Sequence, residues 1–216
     1  MSKIRLLALV LLGLLLWWLA GHGLAAARGQ VMAQDFAYRG VTLGSTEAQA
    51  IQILGEPLYD KAVRRQGIAV KVLTYQDGVD VAVALRSGQV VDITVDLAKQ
   101  RQFVLRDNVR YGATSAWLQS VYGKQQRQWL EGEVYYIYTL PAKPYDRLLL
   151  VLDKNDYHLT ALRITSLPLT EAELDARAEQ GDDELEVMTD ATLGDKQIDT
   201  SALPQTGEVK LGGYLP

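Results

Sequence analysis

The sequence predicts an α+β protein made of two tandem repeats, each a helix followed by an antiparallel β-meander, with a hydrophobic N-terminal helix and an acidic C-terminal tail. Two observations predict this fold. Residues 41–55 align without gaps on residues 109–123, and Val, Gly, Thr, Ala and Gly coincide in the two copies. After each copy the spacing of apolar residues changes from about 3.6, typical of a helix, to about 2, typical of a strand.

The composition excludes several classes of protein. The chain has 216 residues, 48% of them hydrophobic, and no Cys, which excludes disulfide scaffolds, thiolate zinc sites and cysteine nucleophiles. Its formal net charge of -4 argues against a nucleic-acid partner, because such proteins usually carry a basic surface that neutralises phosphates. We therefore expect no nucleic acid among its partners.

The N-terminal segment has the features of an export signal. Lys3 and Arg5 precede an apolar run over residues 6–20, which resembles the charged and hydrophobic regions of a signal peptide. Small-x-small motifs at residues 25–27 and 31–33 offer two cleavage sites, while retention as a single membrane anchor is the alternative. In both cases we expect the rest of the chain to be extracytoplasmic, in the periplasm or at the cell surface. Residues 1–33 are assigned to this segment.

Each repeat is predicted to open with a short helix. Thr46 and Thr114 are suitable N-cap residues, and Gln49 completes a capping box in the first copy. Gly55 and Gly123 follow the last apolar residue of each helix, where a positive φ is easiest for glycine. These signals predict helices over about two turns in both copies.

The strands follow from alternation of apolar residues. The first repeat, residues 34–100, contains an Asp77–Gly78 type I′ hairpin signal, and the second repeat, residues 101–168, has longer loops at residues 141–146 and 153–158. The predicted strands are residues 70–74, 79–85, 91–95, 134–140, 147–152 and 159–165. Two three-stranded sheets are therefore expected, each with one face under helices and the other face open to solvent or to a partner.

Residues 169–216 carry an acidic bias. They contain twelve acidic and three basic residues, and Thr170 with Glu173 forms another capping-box signal. We expect a short acidic helix to about residue 180 and a flexible tail beyond it. The tail is interpreted either as a solvated extension or as a docking segment for a basic partner.

A family resemblance rests on the first repeat. Residues 44–57, which read GSTEAQAIQILGEP, followed by Leu73, Thr74 and Tyr75, resemble the SmpA/OmlA envelope lipoproteins, and the tandem arrangement resembles the β-lactamase inhibitor protein. The resemblance covers about residues 38–166. It implies this shared fold together with a role in outer-membrane protein assembly or in enzyme inhibition. The chain lacks the acylated Cys of the lipoproteins and the disulfides of the inhibitor.

Signatures of catalysis and metal binding are not found in the sequence. There is no Gly-x-Ser-x-Gly, phosphate-loop or His-Glu-x-x-His motif, and His158 is the only histidine in the repeats. Residues 153–158 begin like a calcium loop but lack its ligand and glycine positions. Asp80 and Asp92 lie on neighbouring predicted strands, where they could face one another like an acid–base pair, but exposed strand carboxylates are usually only solvated. We expect no catalytic residues, no metal and no cofactor.

Aromatic and basic residues cluster in the second repeat. Interfaces favour Tyr, Trp and Arg, because these side chains bury a large area and keep a polar tip. The candidate partner-binding residues are Trp129, Tyr135, Tyr136, Tyr138, Tyr145, Arg147 and Tyr157, interleaved with Arg127 and Lys143. Since Tyr136 and Tyr138 share one strand face and Tyr135 lies on the other, a structural role in the core remains open beside the binding role.

The sequence favours a non-catalytic extracytoplasmic protein-binding module that acts in cell-envelope assembly or maintenance. Its expected partners are another envelope or secreted protein and, if the N-terminal segment is uncleaved, the membrane. An enzyme inhibitor is the first alternative, with residues 141–146 as the inserted loop. An unrecognised hydrolase is the second.

Overall fold

The computed structural model describes residues 29–181. Residues 1–28 of the predicted export segment and the tail beyond residue 181 lie outside the described residues. Within the described residues, three α-helices accompany one large antiparallel sheet, so the α+β class is confirmed.

The order of elements is a helix followed by four strands, and this order occurs twice. A 3-10 helix, Ala33–Phe36, and a short hairpin precede the first α-helix, and a second 3-10 helix, Arg106–Asn108, precedes the second α-helix. The elements are β1 (Ala37–Tyr38), β2 (Val41–Thr42), α1 (Glu47–Leu54), β3 (Tyr59–Arg65), β4 (Ile68–Tyr75), β5 (Val79–Ala84), β6 (Val90–Asp96), α2 (Ser115–Tyr122), β7 (Gln128–Leu130), β8 (Glu133–Leu140), β9 (Lys143–Leu152), β10 (Leu159–Thr165) and α3 (Glu171–Glu179).

The strands of both halves belong to a single sheet, so the prediction of two separate three-stranded sheets is wrong. Its order is β3-β4-β5-β6-β10-β9-β8-β7, and β6 pairs antiparallel with β10 at the centre, from Asp96 with Ala161 to Asp92 with Thr165. Two separate sheets would each expose an additional row of unpaired backbone groups, which this central pairing removes. The eight strands therefore share one core.

The predicted helix ends are confirmed. The N–H of Gln49 donates to Thr46 Oγ1 at 3.2 Å, and the N–H of Thr46 donates to Gln49 Oε1 at 2.9 Å, which completes the capping box. Thr114 accepts a hydrogen bond from the N–H of Trp117 at 3.3 Å in the same way. Because these side chains satisfy N–H groups that have no partner inside the helix, they fix where each helix begins.

The tight turns differ from those predicted. At Asp77–Gly78 only the glycine has a positive φ, so this is not a type I′ turn. Two-residue turns in which both residues have a positive φ instead occur at Gln66–Gly67 and Glu131–Gly132, where they join β3 to β4 and β7 to β8. The Gln66 amide donates to Glu131 Oε1 at 3.4 Å, so the two turns meet.

The loop predicted at residues 141–146 is also not present. Lys143 already pairs with Leu140, which leaves only residues 141 and 142 as the turn between β8 and β9. Strand β9 extends over ten residues, from Lys143 to Leu152. The element proposed as the inserted loop of an inhibitor is therefore mostly strand.

The main core lies between one sheet face and the helices α1 and α2. Alternate residues of the central strands are fully buried there, including Val81, Ile93, Leu150 and Leu162. The period of two found in the sequence therefore identifies this face correctly.

The opposite sheet face was expected to be open, but the segment after β10 covers part of it. Leu174 and Ala178 of α3 pack against a buried cluster from β4 and β5 that includes Val70 and Ala82. Leu169 packs against Tyr135 and two neighbours in a second cluster. The acidic helix thus has an apolar stripe that the composition of its segment obscured.

A buried carboxylate lies on this second face. Asp92 on β6 has no solvent exposure, and its Oδ1 and Oδ2 bind Arg163 Nε at 2.7 Å and Arg65 Nη1 at 2.8 Å. Arg65 reaches Asp92 from the edge strand β3, although β4 and β5 lie between β3 and β6 in the sheet. Asp92 therefore holds together strands from both halves of the sheet.

Replacement of Asp92 should destabilise the protein strongly. We expect Asp92→Ala to lower the free energy of unfolding by about 3 to 5 kcal/mol, because two largely buried guanidinium groups lose their shared counter-charge. The neighbouring Asp80→Ala, on a partly exposed carboxylate, should change it by less than about 0.5 kcal/mol. Urea unfolding of both variants measures the difference, and equal effects would contradict this role for Asp92.

Candidate functional site

A groove lies on the helix-covered side of the second half of the sheet. It has a volume of about 620 Å³ and is formed by α2, the connection from α2 to β7, Tyr136 of β8 and the loop between β9 and β10. Three of the seven predicted partner-binding residues line it, Trp129, Tyr136 and Tyr157, together with Arg127. The structure therefore brings together part of the predicted cluster.

The floor of the groove is a hydroxyl network. The ring of Tyr136 is buried, and its hydroxyl contacts Ser115 Oγ and accepts a hydrogen bond from Gln119 Nε2 at 2.8 Å. Ser115 and Gln119 are four residues apart on α2 and therefore lie on the same side of the helix. Their spacing of four residues was the available sequence signal for this pair, and they were not among the predicted site residues.

One wall of the groove is a stacked pair. The guanidinium carbon of Arg127 lies 4.0 Å from the centroid of the Tyr157 ring. Tyr157 has a φ of 57°, and its N–H donates to the carbonyl oxygen of Asp153 at 3.0 Å. Asp153 also accepts from the N–H of Asn155 at 2.7 Å, so the loop is held by its first residue. These contacts therefore hold the Tyr157 ring in position in the absence of a ligand.

Trp129 forms the exposed rim. It lies in β7, at the edge of the sheet, and 61% of its surface is exposed. A tryptophan exposed to this degree contributes little to the core and offers a large apolar area to a partner.

The charges of the groove balance. Arg127 and the carboxylate of Asp156 are its only ionised side chains among the described residues. Asp156 accepts from the N–H of His158 at 3.0 Å, and its Oδ1 lies 3.0 Å from His158 Nδ1. These contacts lower the pKa of Asp156, the backbone hydrogen bond contributing most. The lining therefore favours a polar ligand with no large excess of charge.

Two further predicted residues are buried in the sheet. Tyr138 shares the face of Tyr136, its hydroxyl donates to the carbonyl oxygen of Gly123 at 3.0 Å, and burial raises its pKa. Tyr135 lies on the opposite face with Ile137 and Leu149, and burial raises its pKa as well. Neither ring is available to a partner in this structure.

Tyr145 and Arg147 hold α3 against the sheet. Arg147 binds Glu173, and the guanidinium carbon of Arg177 lies 4.1 Å from the centroid of the Tyr145 ring. Arg177 Nη2 lies 3.2 Å from the same Glu173 oxygen, Oε1. Both predicted residues therefore serve an internal contact, which the sequence did not indicate because their partners lie in the acidic segment.

Within residues 29–181, no group of three or more acidic or histidine side chains is arranged to hold a metal ion. The same part of the chain contains no helix long and apolar enough to cross a bilayer.

The sequence matches no protein-family model and no curated protein. Among solved structures, the chain is similar to a DUF4309 family protein (YjgB) from Bacillus subtilis, with 15% identity, coverage of 63% of this chain and 87% of that chain, and a TM-score of 0.40. It is also similar to an extracellular protein containing an SCP domain from Bacillus anthracis (15% identity, 57% of this chain and 43% of that chain, TM-score 0.40). A third similar structure is a cysteine-rich secretory protein from Staphylococcus aureus, with 11% identity, coverage of 57% of this chain and 44% of that chain, and a TM-score of 0.37. The chain spans under half of the last two proteins, and at these values the likeness assigns neither a family nor a function.

The structure predicts opposite roles for two aromatic residues of the groove. Tyr136→Ala should lower the free energy of unfolding by about 3 to 5 kcal/mol through cavity formation. Trp129→Ala should lower it by less than about 1 kcal/mol, since this side chain is mostly exposed. Thermal unfolding of both variants tests this, with Tyr136→Phe as a control expected to lose only about 0.5 to 1.5 kcal/mol. Similar losses for the two alanine variants would show that Trp129 is structural.

Acid should release α3 from the sheet. Partial burial raises the pKa of Glu173, but hydrogen bonds from Arg147 and from the N–H of Leu169 outweigh it, so this pKa lies below its ordinary value of 4.5. The stabilisation is therefore complete above about pH 4.5 and is lost as the pH falls through the lowered pKa. Hydrogen exchange of the α3 amides, corrected for intrinsic rates, should accelerate in that range.

Glu173→Gln should remove this pH step, whereas Glu171→Gln, on an exposed residue of the same helical turn, should keep it. An unchanged step in Glu173→Gln would contradict the assignment to Glu173.

Proposed function

We propose that this chain is an exported, non-catalytic protein-binding module of the cell envelope, built from two tandem repeats. The export step rests on Lys3, Arg5 and the apolar run at residues 6–20. A role in envelope assembly or maintenance rests on the resemblance of residues 44–57 to the SmpA/OmlA lipoproteins, and the tandem arrangement resembles the β-lactamase inhibitor protein.

The repeat proposal is supported by matching elements in the two halves. Residues 41–55 and 109–123, which align in sequence, carry α1 and α2 with their threonine caps. The two-residue turns at Gln66–Gly67 and Glu131–Gly132 occupy the same place in the element order of each half. Two copies of one unit related by duplication account for both matches.

One observation carries the binding proposal: Trp129, Arg127 and Tyr157 line one groove together. Trp, Tyr and Arg are the residue types that dominate binding energy at protein interfaces. Arg127 is already stacked on Tyr157, so little conformational entropy remains to be lost when a partner binds. We infer that a polar protein segment with no large net charge enters this groove.

The non-catalytic part of the proposal follows from the contacts of the candidate catalytic groups. The Ser115 hydroxyl contacts the Tyr136 hydroxyl, and His158 contacts Asp156 in the loop between β9 and β10. Asp92, considered earlier as half of an acid–base pair, is bound by two arginines. These contacts supply no nucleophile paired with a base, which supports a binding role over hydrolysis.

The test is capture of the envelope partner by variants of the exported chain. Trp129→Ala should reduce capture by about 5- to 150-fold, because truncation of an anchor residue costs about 1 to 3 kcal/mol of binding free energy. Arg127→Ala should also reduce capture, because the Tyr157 ring loses the cation that is stacked on it.

Trp117 provides the matched control. It is 44% exposed on α2 and does not line the groove. Trp117→Ala should leave capture of the partner unchanged, although it alters the fold and the surface to a degree similar to Trp129→Ala. Equal losses of capture in Trp117→Ala and Trp129→Ala would contradict the proposal that the partner binds in the groove.

A further inference from the structure

Residues 29–33, the last part of the predicted export segment, are among the described residues and contact the folded domain. The N–H of Gly29 donates to the carbonyl oxygen of Val121 at 3.1 Å, which satisfies an acceptor in the last turn of α2. The carbonyl of Gly29 then passes over Gly123, where a Cβ atom would lie only 2.6 Å from its oxygen. The chain is therefore packed against α2 from its first described residue.

A buried ion pair fixes the next residues. Arg106 Nε and Nη2 bind the two carboxylate oxygens of Asp35, each at 3.1 Å, and both side chains are nearly inaccessible. Arg106 Nη2 also donates to the carbonyl oxygens of Gln30, at 2.7 Å, and Val121, at 3.1 Å. A single guanidinium thus joins the N-terminal segment, the 3-10 helix before α2 and the end of α2.

The residues between Gln30 and Asp35 are also part of the fold. Val31 packs against the main core, and the N–H of Met32 donates to Asp35 Oδ2 at 2.8 Å. Ala33 is the first residue of the 3-10 helix, and its side chain is exposed.

These contacts distinguish the two cleavage motifs. Cleavage after Ala33 would remove Gly29, Gln30 and Met32 with all the hydrogen bonds described above except those between Arg106 and Asp35 and between Arg106 and Val121. It would also place an α-ammonium group on Gln34, beside Asp35, where it would compete with Arg106 for the carboxylate. Cleavage after Ala27 leaves every one of these contacts in place.

We infer that the chain is processed at the Ala27–Arg28 bond, so that the mature protein begins at Arg28; this inference rests on the proposed export. Hydrolysis by a membrane signal peptidase, with water as the co-reactant, yields a carboxylate on Ala27 and an α-ammonium group on Arg28. The motif at residues 31–33 is a structural segment of the mature domain.

The mature N-terminus can be read directly by mass spectrometry of the full chain after expression in a bacterium with an export pathway. A chain that begins at Arg28 is the expected result. Ala27→Gln should abolish processing, because the peptidase accepts only small residues there. Ala33→Gln should be processed normally, and its exposed position makes the substitution structurally neutral.

Every other outcome overturns the inference. A mature chain that begins at Gln34, or processing blocked by Ala33→Gln, assigns the cleavage to the second motif and leaves export intact. An uncleaved chain in the membrane fraction, facing outward, shows that the segment is an anchor. An uncleaved chain in the cytoplasm contradicts the proposed export itself.

A second measurement tests the structural reason. Purified chains that begin at residue 28 and at residue 34 should differ in their thermal midpoint by about 5 to 10 °C, the shorter chain being less stable, because it lacks several hydrogen bonds to α2 and Arg106. Equal midpoints would show that residues 29–33 contribute nothing to the fold and would overturn the argument.

Discussion

The pairing of β6 with β10 is the contact on which the rest of the structure depends. Each half supplies four strands in sequence order, and the last strand of each half would be an edge if the halves stayed apart. Their antiparallel pairing joins the halves into one sheet, so α1 and α2 cover a common core. It also places Asp92 next to β10, where Arg163 can reach it. The groove beside Tyr136 lies on the half that this pairing joins to the first.

The two faces of the sheet are packed by different kinds of contact. The first face alternates apolar residues against two helices, which is the ordinary basis of an antiparallel core. The second face mixes small apolar clusters with the Asp92 ion pairs and receives α3 through Glu173 as well as through Leu174. A charged helix from an acidic segment can dock there because Arg147 of the sheet supplies the opposite charge to Glu173.

The sequence predicted the parts of the fold that depend on local chemistry. Threonine caps, terminal glycines and the alternation in β4, β5 and β8 are local signals, and each led to a correct element. Strand β3, which reads YDKAVRR, was missed because an edge strand with a mostly exposed surface shows no alternation. The exposure of the tyrosines could not be predicted either. The alternation of side chains along a strand predicted that Tyr135 and Tyr136 lie on opposite faces of the sheet. Whether the face of Tyr135 is covered depends on the segment that carries α3, which is distant in sequence.

The contact between the Gln66 and Glu131 turns has a consequence for the shape of the sheet. In a flat sheet with strands about 4.8 Å apart, β3 and β7 would be separated by about 34 Å. Yet the turns that end these two outermost strands lie within the reach of two side chains. The accumulated strand twist therefore curls the sheet until these two opposite corners touch. Such curvature makes the two free edges of the sheet, β3 and β7, poor templates for flat edge-to-edge stacking and so disfavours the formation of fibrils.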